Sequence, residues 1–293
     1  MKIARDKDLT VHTKEYFWLC LNRAVVYICL ALIILICLFP FYILLINATR
    51  SNAQLQAGFT LLPQGNFLAN LKNAWTDASI DIPRGMLNSL FVAGLTALLT
   101  TYFSALTAYG IHVYDFKAKK VAFNFIMLVM MIPTQVSAVG FVQIIYGLKL
   151  TNNYAPLIVP SIAAPVVFFY MKQYMESVLP LEVVEAARVD GSNEFKTFNR
   201  IALPMIKPAI AVQMIFSFVS SWNNYFLPAL LLDKAEKKTV PIMIAQLRSA
   251  DYSKFDMGKV YMFILLAIIP VVVVYLALSK FIIKGVTMGS VKG

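Results

Sequence analysis

The segment Ala24–Asn47 reads AVVYICLALIILICLFPFYILLIN and contains no acidic or basic side chain. About 20 mostly apolar residues in a helix are enough to cross the roughly 30 Å hydrocarbon core of a bilayer. The whole chain of 293 residues has the same character, with 59% hydrophobic residues, 14% charged residues and a mean hydropathy of +0.71. A soluble domain of this length needs a larger charged surface, so we expect the chain to be embedded in a membrane.

Five further segments have the length and composition of membrane spans, and the sequence therefore predicts an all-α, polytopic protein of six transmembrane helices. Proline interrupts several of these segments, which is tolerated where neighbouring helices satisfy the freed carbonyl groups. None of the six segments contains Asp, Glu, Lys or Arg. The predicted spans are Ala24–Asn47, Met86–His112, Val121–Gly147, Ala155–Met171, Ala209–Leu232 and Val260–Leu278.

The distribution of Lys and Arg predicts the orientation of these spans. With the N-terminus inside, 16 basic residues fall on the cytoplasmic side and 10 on the outer side, which agrees with the positive-inside tendency. We therefore expect a cell-membrane protein with a cytoplasmic N-terminal arm (1–23), a six-helix transmembrane domain (24–283) and a cytoplasmic C-terminal tail (284–293). The net charge of the chain is +11, and we expect its basic side chains to lie at the lipid headgroups. Nucleic acid is not expected as a partner, because no basic run is interleaved with aromatic residues outside the spans.

The lack of charge inside the spans limits how transport or catalysis could be driven. Ion-coupled carriers usually keep an ionisable residue in the membrane to bind the coupling ion. The sequence also lacks a G-x-x-x-x-G-K-[ST] phosphate-binding loop, so a separate motor protein is the economical source of energy. His12 and His112 have no ligand-spaced neighbours, so neither a metal site nor a nucleophile–base pair is expected.

The largest predicted cytoplasmic loop, residues 177–208, has the pattern of two short helices joined at a glycine turn. Pro180 suits a first helical turn, and Gly191 suits a left-handed helix stop. Ser192 or Asn193 can cap the second helix. In that helix Phe195, Phe198 and Ile201 recur at intervals of three, which predicts one shared apolar face.

The physical properties of the first helix leave two interpretations open. Ala186 and Ala187 would allow a partner backbone to approach closely, and Glu185, Arg188 and Asp190 supply charges around them. A helix of this shape suits insertion into a groove on another protein. The alternative is an amphipathic helix that packs only on lipid headgroups.

The run EAARVDG (Glu185 to Gly191), followed after nine residues by IALP (Ile201 to Pro204), resembles the EAA loop of ABC-importer permeases. Further stretches resemble the carbohydrate-uptake branch of that family, in particular its maltose permease G-like subunits. They are NSL (88–90), MMIPTQVSAVGF (130–141), SSWNNYFLPALLL (220–232) and KGVTMGSVKG (284–293), so the resemblance covers nearly the whole chain.

The resemblance implies a permease domain whose coupling element sits in a cleft of an ATP-binding subunit. The implied assembly contains a second, non-identical permease, two ATP-binding subunits and an extracytoplasmic solute-binding protein. ATP and Mg would be bound by the ATPase, with no cofactor in this chain. The tail is similar to one that reaches into the ATPase dimer, although it could equally be a disordered end. The implied coupling residues are Glu185, Ala186, Ala187, Asp190, Gly191, Ile201 and Pro204.

Polar side chains in spans three and five are candidates for the path of a sugar, because sugar recognition uses uncharged hydrogen-bonding groups and aromatic faces. The candidates are Gln135, Ser220, Asn223 and Asn224. The same residue types commonly join helices to each other, so packing is the competing interpretation. For the whole protein, the alternatives are an ABC permease for glycerol phosphate esters or short peptides, and an intramembrane enzyme or secondary carrier.

Overall fold

The computed structural model describes residues 2–77, 80–249 and 256–289. Every regular element in these residues is a helix, which confirms the all-α prediction. The first helix, α1 (Lys2–Ala48), joins the predicted N-terminal arm and the first span in one helix. The last, α15 (Met257–Gly289), extends into the predicted tail, of which residues 290–293 lie outside the described residues. The helices between them are α2 (Asn52–Gln56), α3 (Phe67–Trp75), α4 (Ile82–Val113), α5 (Lys119–Met130), α6 (Thr134–Gly147), α7 (Ala155–Ile158), α8 (Pro165–Val178), α9 (Leu181–Val189), α10 (Glu194–Thr197), α11 (Leu203–Met205), α12 (Lys207–Trp222), α13 (Phe226–Leu231) and α14 (Val240–Ser249).

The described helices supply the predicted spans in two ways. Four are long and apolar enough to cross a membrane, namely Trp18–Ala48, Ile82–Val113, Ala155–Val178 and Met257–Ile282. Two bent pairs bring the number to as many as six, each pair counted as one span. The first pair is α5 with α6, bent by 94°, which covers the predicted span Val121–Gly147. The second is Glu194–Met205 with α12, bent by 83°; only α12 overlaps the predicted span Ala209–Leu232, and Glu194–Met205 belongs to the loop 177–208.

Proline has different effects at different positions in these spans. Pro133 lies in the break between α5 and α6, where it ends one helix and precedes the next. Pro160 lies in a 3₁₀ turn, Val159–Ile162, between α7 and α8. Pro40 and Pro270, in contrast, lie inside continuous helices. The helix thus continues past Pro40 and Pro270, although each proline leaves a backbone carbonyl without its helical partner, whereas Pro133 and Pro160 lie where the α-helix is interrupted.

Two compact units are present, Met1–Asn70 with Asp256–Met262, and Leu71–Phe255 with Phe263–Gly293. In the first unit Arg50 is buried, and its guanidinium donates to the carbonyl oxygens of Gln54 and Gly58. Asn70 Nδ2 donates to the Ala48 and Arg50 carbonyl oxygens, at 2.8 Å each. The bond to Ala48 pairs one of the last four carbonyls of α1, which have no partner within the helix, and the other three pair carbonyls of the segment that follows.

The second unit is organised around α4, which packs most extensively against α12 and α8. Near the predicted cytoplasmic end, the fully buried side chains of Met171, Met175 and Leu179 meet Phe198 from the loop after α9. At the other end of α4, Asn88 Nδ2 donates to the Glu236 and Lys238 carbonyl oxygens at 3.0 and 2.9 Å. The same long helix therefore holds the loop 177–208 at one end and the loop before α14 at the other.

Candidate functional site

The loop 177–208 forms two helical segments joined at Gly191, as the sequence predicts. Pro180 precedes α9 with φ −62° and ψ 142°, the extended conformation of a residue that starts a helix. Glu182 lies in the first turn and Arg188 in the last, where each complements the helix dipole.

Gly191 ends α9 in the left-handed conformation, with φ +75°. The Ser192 amide donates to the Ala187 carbonyl at 2.9 Å, and the Gly191 amide donates to the Arg188 carbonyl at 3.0 Å. This pair of bonds is the Schellman pattern, which satisfies carbonyls at a helix end and reverses the chain. The predicted glycine stop is confirmed.

The second segment is capped by Asn193, whose side-chain oxygen accepts from the Lys196 amide at 2.8 Å. It continues from α10 through a π-helical turn, Phe198–Ala202, into α11. The prediction of one shared apolar face is wrong, because Phe195 is 70% exposed whereas Phe198 is 1% exposed. The π turn begins at Phe198 and so changes the relation between Phe198 and Ile201, while Phe195 lies before it, on the exposed side of the single turn of α10.

An exposed stripe runs along α9, made of Glu182, Glu185, Ala186 and Val189. Their spacing of three and four places them on one face of the helix. Val189 is 88% exposed, whereas Val184 and Ala187 are buried on the opposite face. The helix therefore packs on its own protein with one face and presents a mixed charged and apolar face outward.

The other predicted coupling residues lie on or next to these two segments. Asp190 is the C-cap residue of α9 and is exposed, as is Gly191. Ile201 is half-buried in the π turn, and Pro204 is exposed in α11. Ala187 differs from Ala186 in facing the core.

Polar contacts connect both segments to the adjacent end of α4. The carboxylate of Glu194 accepts from Arg188 Nε at 2.7 Å through one oxygen and from the Tyr109 hydroxyl at 3.1 Å through the other. The Tyr102 hydroxyl donates to Asn199 Oδ1 at 3.2 Å. These bonds hold the loop to α4 independently of the buried apolar contacts.

The charges in this cluster stabilise each other. The hydrogen bond from Arg188 holds the pKa of the Glu194 carboxyl below its ordinary value of 4.5, although burial acts in the opposite direction. The same bond raises the pKa of the Arg188 guanidinium. Its guanidinium also lies over the Tyr114 ring, 5.5 Å from the ring centre. Both groups are therefore charged at neutral pH.

A cavity of about 720 Å³ lies between α4, the α7–α8 region and α12. None of its lining side chains is acidic, basic or histidine. The polar members are supplied by all three regions, whereas Val166, Tyr170 and Phe216 supply exposed apolar and aromatic surface. The lining consists of Thr96, Thr100, Leu157, Ser161, Ala164, Val166, Val167, Tyr170, Val212, Gln213, Phe216, Ser217, Ser220, Ser221 and Asn224.

Two buried polar side chains in this lining have unused hydrogen-bonding capacity. The Thr96 hydroxyl is buried and makes no hydrogen bond within the described part of the chain. Gln213 is 7% exposed, borders the cavity and likewise has no partner among residues 2–77, 80–249 and 256–289. Buried polar groups are normally paired, so unpaired ones at a cavity wall indicate a place for an uncharged polar ligand or water.

The four path residues predicted from the sequence are not all brought together. Ser220 and Asn224 line the cavity, whereas Gln135 and Asn223 lie outside its lining. Gln135 is exposed near the start of α6, and Asn223 is the exposed C-cap residue of α12. The sequence does not distinguish Thr96, because it is one of four threonines in the predicted span Met86–His112 and none of them stands in a recognisable pattern.

Comparison with known proteins gives concordant results. Residues 101–287 match the family model described as "Binding-protein-dependent transport system inner membrane component". The chain is 34% identical over 265 residues to the arabinooligosaccharides transport system permease protein AraQ of Bacillus subtilis (strain 168), covering 88% of this chain and 92% of that protein.

Two other relatives are similar over most of their length. The melibiose/raffinose/stachyose import permease protein MelC of the same strain is 30% identical, covering 87% of this chain and 91% of its own. The sn-glycerol-3-phosphate transport system permease protein UgpE of Salmonella typhi is also 30% identical, covering 86% and 91%. In fold, the chain resembles one chain of a bacterial ABC transporter involved in the import of the acidic polysaccharide alginate. The TM-score is 0.76 at 22% identity, covering 87% of this chain and 94% of that one.

Proposed function

The chain belongs to the family of inner membrane components of binding-protein-dependent transport systems, and we propose that it carries a neutral sugar or oligosaccharide. It is a permease subunit of an ABC importer and not an enzyme. The observation that carries the proposed mechanism is the exposed stripe on α9, a helix that ends in a Schellman turn and is bonded to α4 through Glu194. That arrangement suits a helix that is gripped and moved by a partner protein.

In the proposed coupling mechanism, α9 docks in a cleft of an ATP-binding subunit. Glu185 and Asp190 supply charge at the docking surface, and Ala186 leaves room for the partner's backbone. Ala187 lets α9 lie close to its own protein, and Gly191 provides the turn between the segments. Ile201 and Pro204 shape the second segment before α12. ATP and Mg would be bound by the ATPase, and dimerisation of that subunit would move α9 as a rigid element.

The substrate assignment rests on the cavity and on the relatives. A neutral sugar offers many hydroxyl groups, which pair with Thr96, Gln213, Ser220 and Asn224 without any charge being buried. Tyr170 and Phe216 supply the flat aromatic surface that sugar rings favour. Gln135 and Asn223 would contribute to the path outside this cavity. AraQ and MelC are named for oligosaccharide transport, which agrees with this chemistry.

A glycerol phosphate ester is the second candidate substrate, because UgpE is named for sn-glycerol-3-phosphate. A phosphate ester carries one to two negative charges, which proteins usually neutralise with Arg, Lys or a helix N-terminus. No Arg or Lys is among the described lining residues. Short peptides also carry charged termini, so the cavity favours the neutral sugar over both.

The partners of the proposed complex follow from the family. A second, non-identical permease would complete the path, and a solute-binding protein would deliver the sugar from outside. Membrane lipid would contact the exposed apolar surface of Trp18–Ala48, whose most apolar stretch is not buried by the rest of the described chain. Both termini would be cytoplasmic, because only that orientation places α9 on the ATPase side.

The first experiment tests docking. The assembled transporter is purified through this chain, and the ATP-binding subunit that co-purifies is quantified. Ala186→Trp adds bulk on the exposed face of α9 without entering its own core, so we expect the recovered ATPase to fall at least about tenfold, while membrane insertion is retained. Glu176→Gln removes an exposed carboxylate on neighbouring α8 and should leave recovery unchanged. Equal recovery from both variants would refute docking through α9.

The second experiment tests the substrate. Vesicles containing the complete transporter are supplied with radiolabelled neutral oligosaccharides, glycerol phosphate esters and short peptides, each with its binding protein. ATP-dependent uptake of a neutral oligosaccharide is expected. Uptake confined to the phosphate ester would overturn the sugar assignment and leave the permease assignment intact.

A further inference from the structure

Glu194 is bonded to more than one structural element at the cytoplasmic end of the second unit. It is the first residue of α10, one carboxylate oxygen accepts from Arg188 of α9, and the other accepts from Tyr109 of α4. The 2.7 Å distance from Arg188 Nε is normal for a charge-assisted hydrogen bond, whereas the 3.1 Å distance from the Tyr109 hydroxyl is longer than is usual for a hydroxyl bonded to a carboxylate. One side chain thus joins the docking helix, the segment after it and the longest helix of the unit.

Neither bond is needed to form the local turns. Asn193 already caps α10, and the Schellman bonds that end α9 involve only backbone groups. The carboxylate of Glu176 makes a useful contrast, because its ion pair is with Lys172 of the same helix, α8, and only Lys172 reaches beyond α8, to the Phe123 ring of α5. The bonds of Glu194 therefore have a different consequence, which is to fix α9 relative to α4.

Helix α4, to which Glu194 is bonded, also lines the cavity. Tyr109 and Thr96 lie on the same helix, and 13 residues of α helix span about 20 Å. Tyr109 is 2% exposed, and its ring packs against Phe198 with centres 5.4 Å apart. A displacement of α9 that reaches Tyr109 is therefore passed along a continuous helix to the wall that Thr96 and Thr100 form.

We propose that Glu194 is a positioning residue that makes α9, α10 and α4 move as one body, so that a stroke of the ATPase reaches the substrate cavity. The inference rests on the proposed function, since it requires a motor docked on α9. Without the carboxylate, α9 stays docked but moves partly independently of α4. ATP is then hydrolysed without a matching movement of the cavity wall.

The test measures the number of substrate molecules transported per ATP hydrolysed, in vesicles holding the complete transporter and its binding protein. Glu194→Gln weakens the bond from Arg188, and Tyr109→Phe removes only the hydroxyl that donates to Glu194 while keeping the buried ring. Loss of a hydrogen bond to a charged group shifts an equilibrium by roughly tenfold. We therefore expect the transport-to-ATP ratio to fall about tenfold in Glu194→Gln and severalfold in Tyr109→Phe. The ATPase should co-purify normally with both, and Glu176→Gln is the matched carboxylate control.

The ratio separates coupling from folding, because a merely destabilised loop lowers transport and hydrolysis together. If Glu194→Gln loses the ATPase altogether, Tyr109→Phe decides, since it leaves the Arg188–Glu194 pair intact. A wild-type ratio in Tyr109→Phe, or a parallel fall of both rates, overturns the inference. Failure of the proposed function is distinguishable, because the wild-type complex would then show no transport-coupled hydrolysis at all.

Discussion

Replacing Gln213 by methionine should improve stability and impair transport. The two side chains have similar volume, so the core around α12 is not opened or overfilled. Gln213 is 7% exposed and has no hydrogen-bond partner in the described part of the chain, but its amide nitrogen and oxygen are accessible from the cavity, so they bear only part of the roughly 1–3 kcal/mol that a fully buried unpaired polar group costs. Some of that cost is offset by water in the cavity, so we expect a gain of about 1 kcal/mol.

The same change removes hydrogen bonds that the amide would make to a bound sugar. One hydrogen bond to a neutral group contributes about 0.5–1.5 kcal/mol, which corresponds to a rise in the transport KM of about 2- to 12-fold. The stability gain corresponds to a rise in Tm of about 2 °C for a chain of this size. The two effects therefore have opposite signs.

Thermal unfolding of the purified chain and the concentration dependence of uptake in vesicles measure these effects. Gln173→Met is the matched control, because Gln173 is an exposed glutamine on α8 that does not line the cavity. We expect the control to change neither quantity appreciably. A lower Tm for Gln213→Met, or a KM equal to that of the wild type, would refute the assignment of Gln213 as an unpaired ligand group.

Three further predictions concern the backbone and the charged cluster. Gly191→Ala should lower the unfolding free energy by about 1 kcal/mol, because the backbone there has φ +75°, although there is room for the added methyl group. Gly94→Ala is the control, since Gly94 lies in a helix with open space around it and its replacement should not lower the unfolding free energy. Thermal unfolding of both variants tests this. Gly258→Ala should cost about 1–3 kcal/mol, since its Cβ would lie 2.6 Å from the Arg50 carbonyl oxygen, and an unchanged Tm would contradict that close packing. The pKa of Glu194 is depressed below 4.5, so its stabilising ion pair is complete above that pH and is lost only as pH falls through the lowered pKa. The transport-to-ATP ratio should accordingly stay constant from about pH 6 to pH 8, and a titration within that range would argue against a charged pair.

The turn chemistry of the coupling loop was predictable because each signal is local. Gly191 and Asn193 occupy the helix-stop and helix-cap positions that their residue types favour, and both predictions hold. The face of the second segment was not predictable in the same way. The π turn at Phe198–Ala202 begins after Phe195, so it changes the face shared by Phe198 and Ile201, whereas the exposure of Phe195 depends on how the single turn of α10 packs against the rest of the chain.

The spans show the same division between local and tertiary causes. Length and hydropathy predicted the six apolar segments, but nothing in those quantities distinguishes Pro133, at a 94° break, from Pro270, inside a continuous helix. The difference depends on what packs around the freed carbonyls. The cavity is likewise tertiary, because it unites Thr96 with Gln213 from helices that are more than 100 residues apart in sequence.

Site-specific photo-crosslinking at position 189 tests the central claim most directly. A photoreactive amino acid replaces Val189, which is 88% exposed on the proposed docking face, and a second variant carries it at Leu62, which is 69% exposed in the predicted outer loop. In the assembled transporter, we predict an adduct with the ATP-binding subunit from position 189 and none from position 62. Absence of that adduct at 189, or its appearance at 62, would contradict both the orientation of the chain and its coupling through α9.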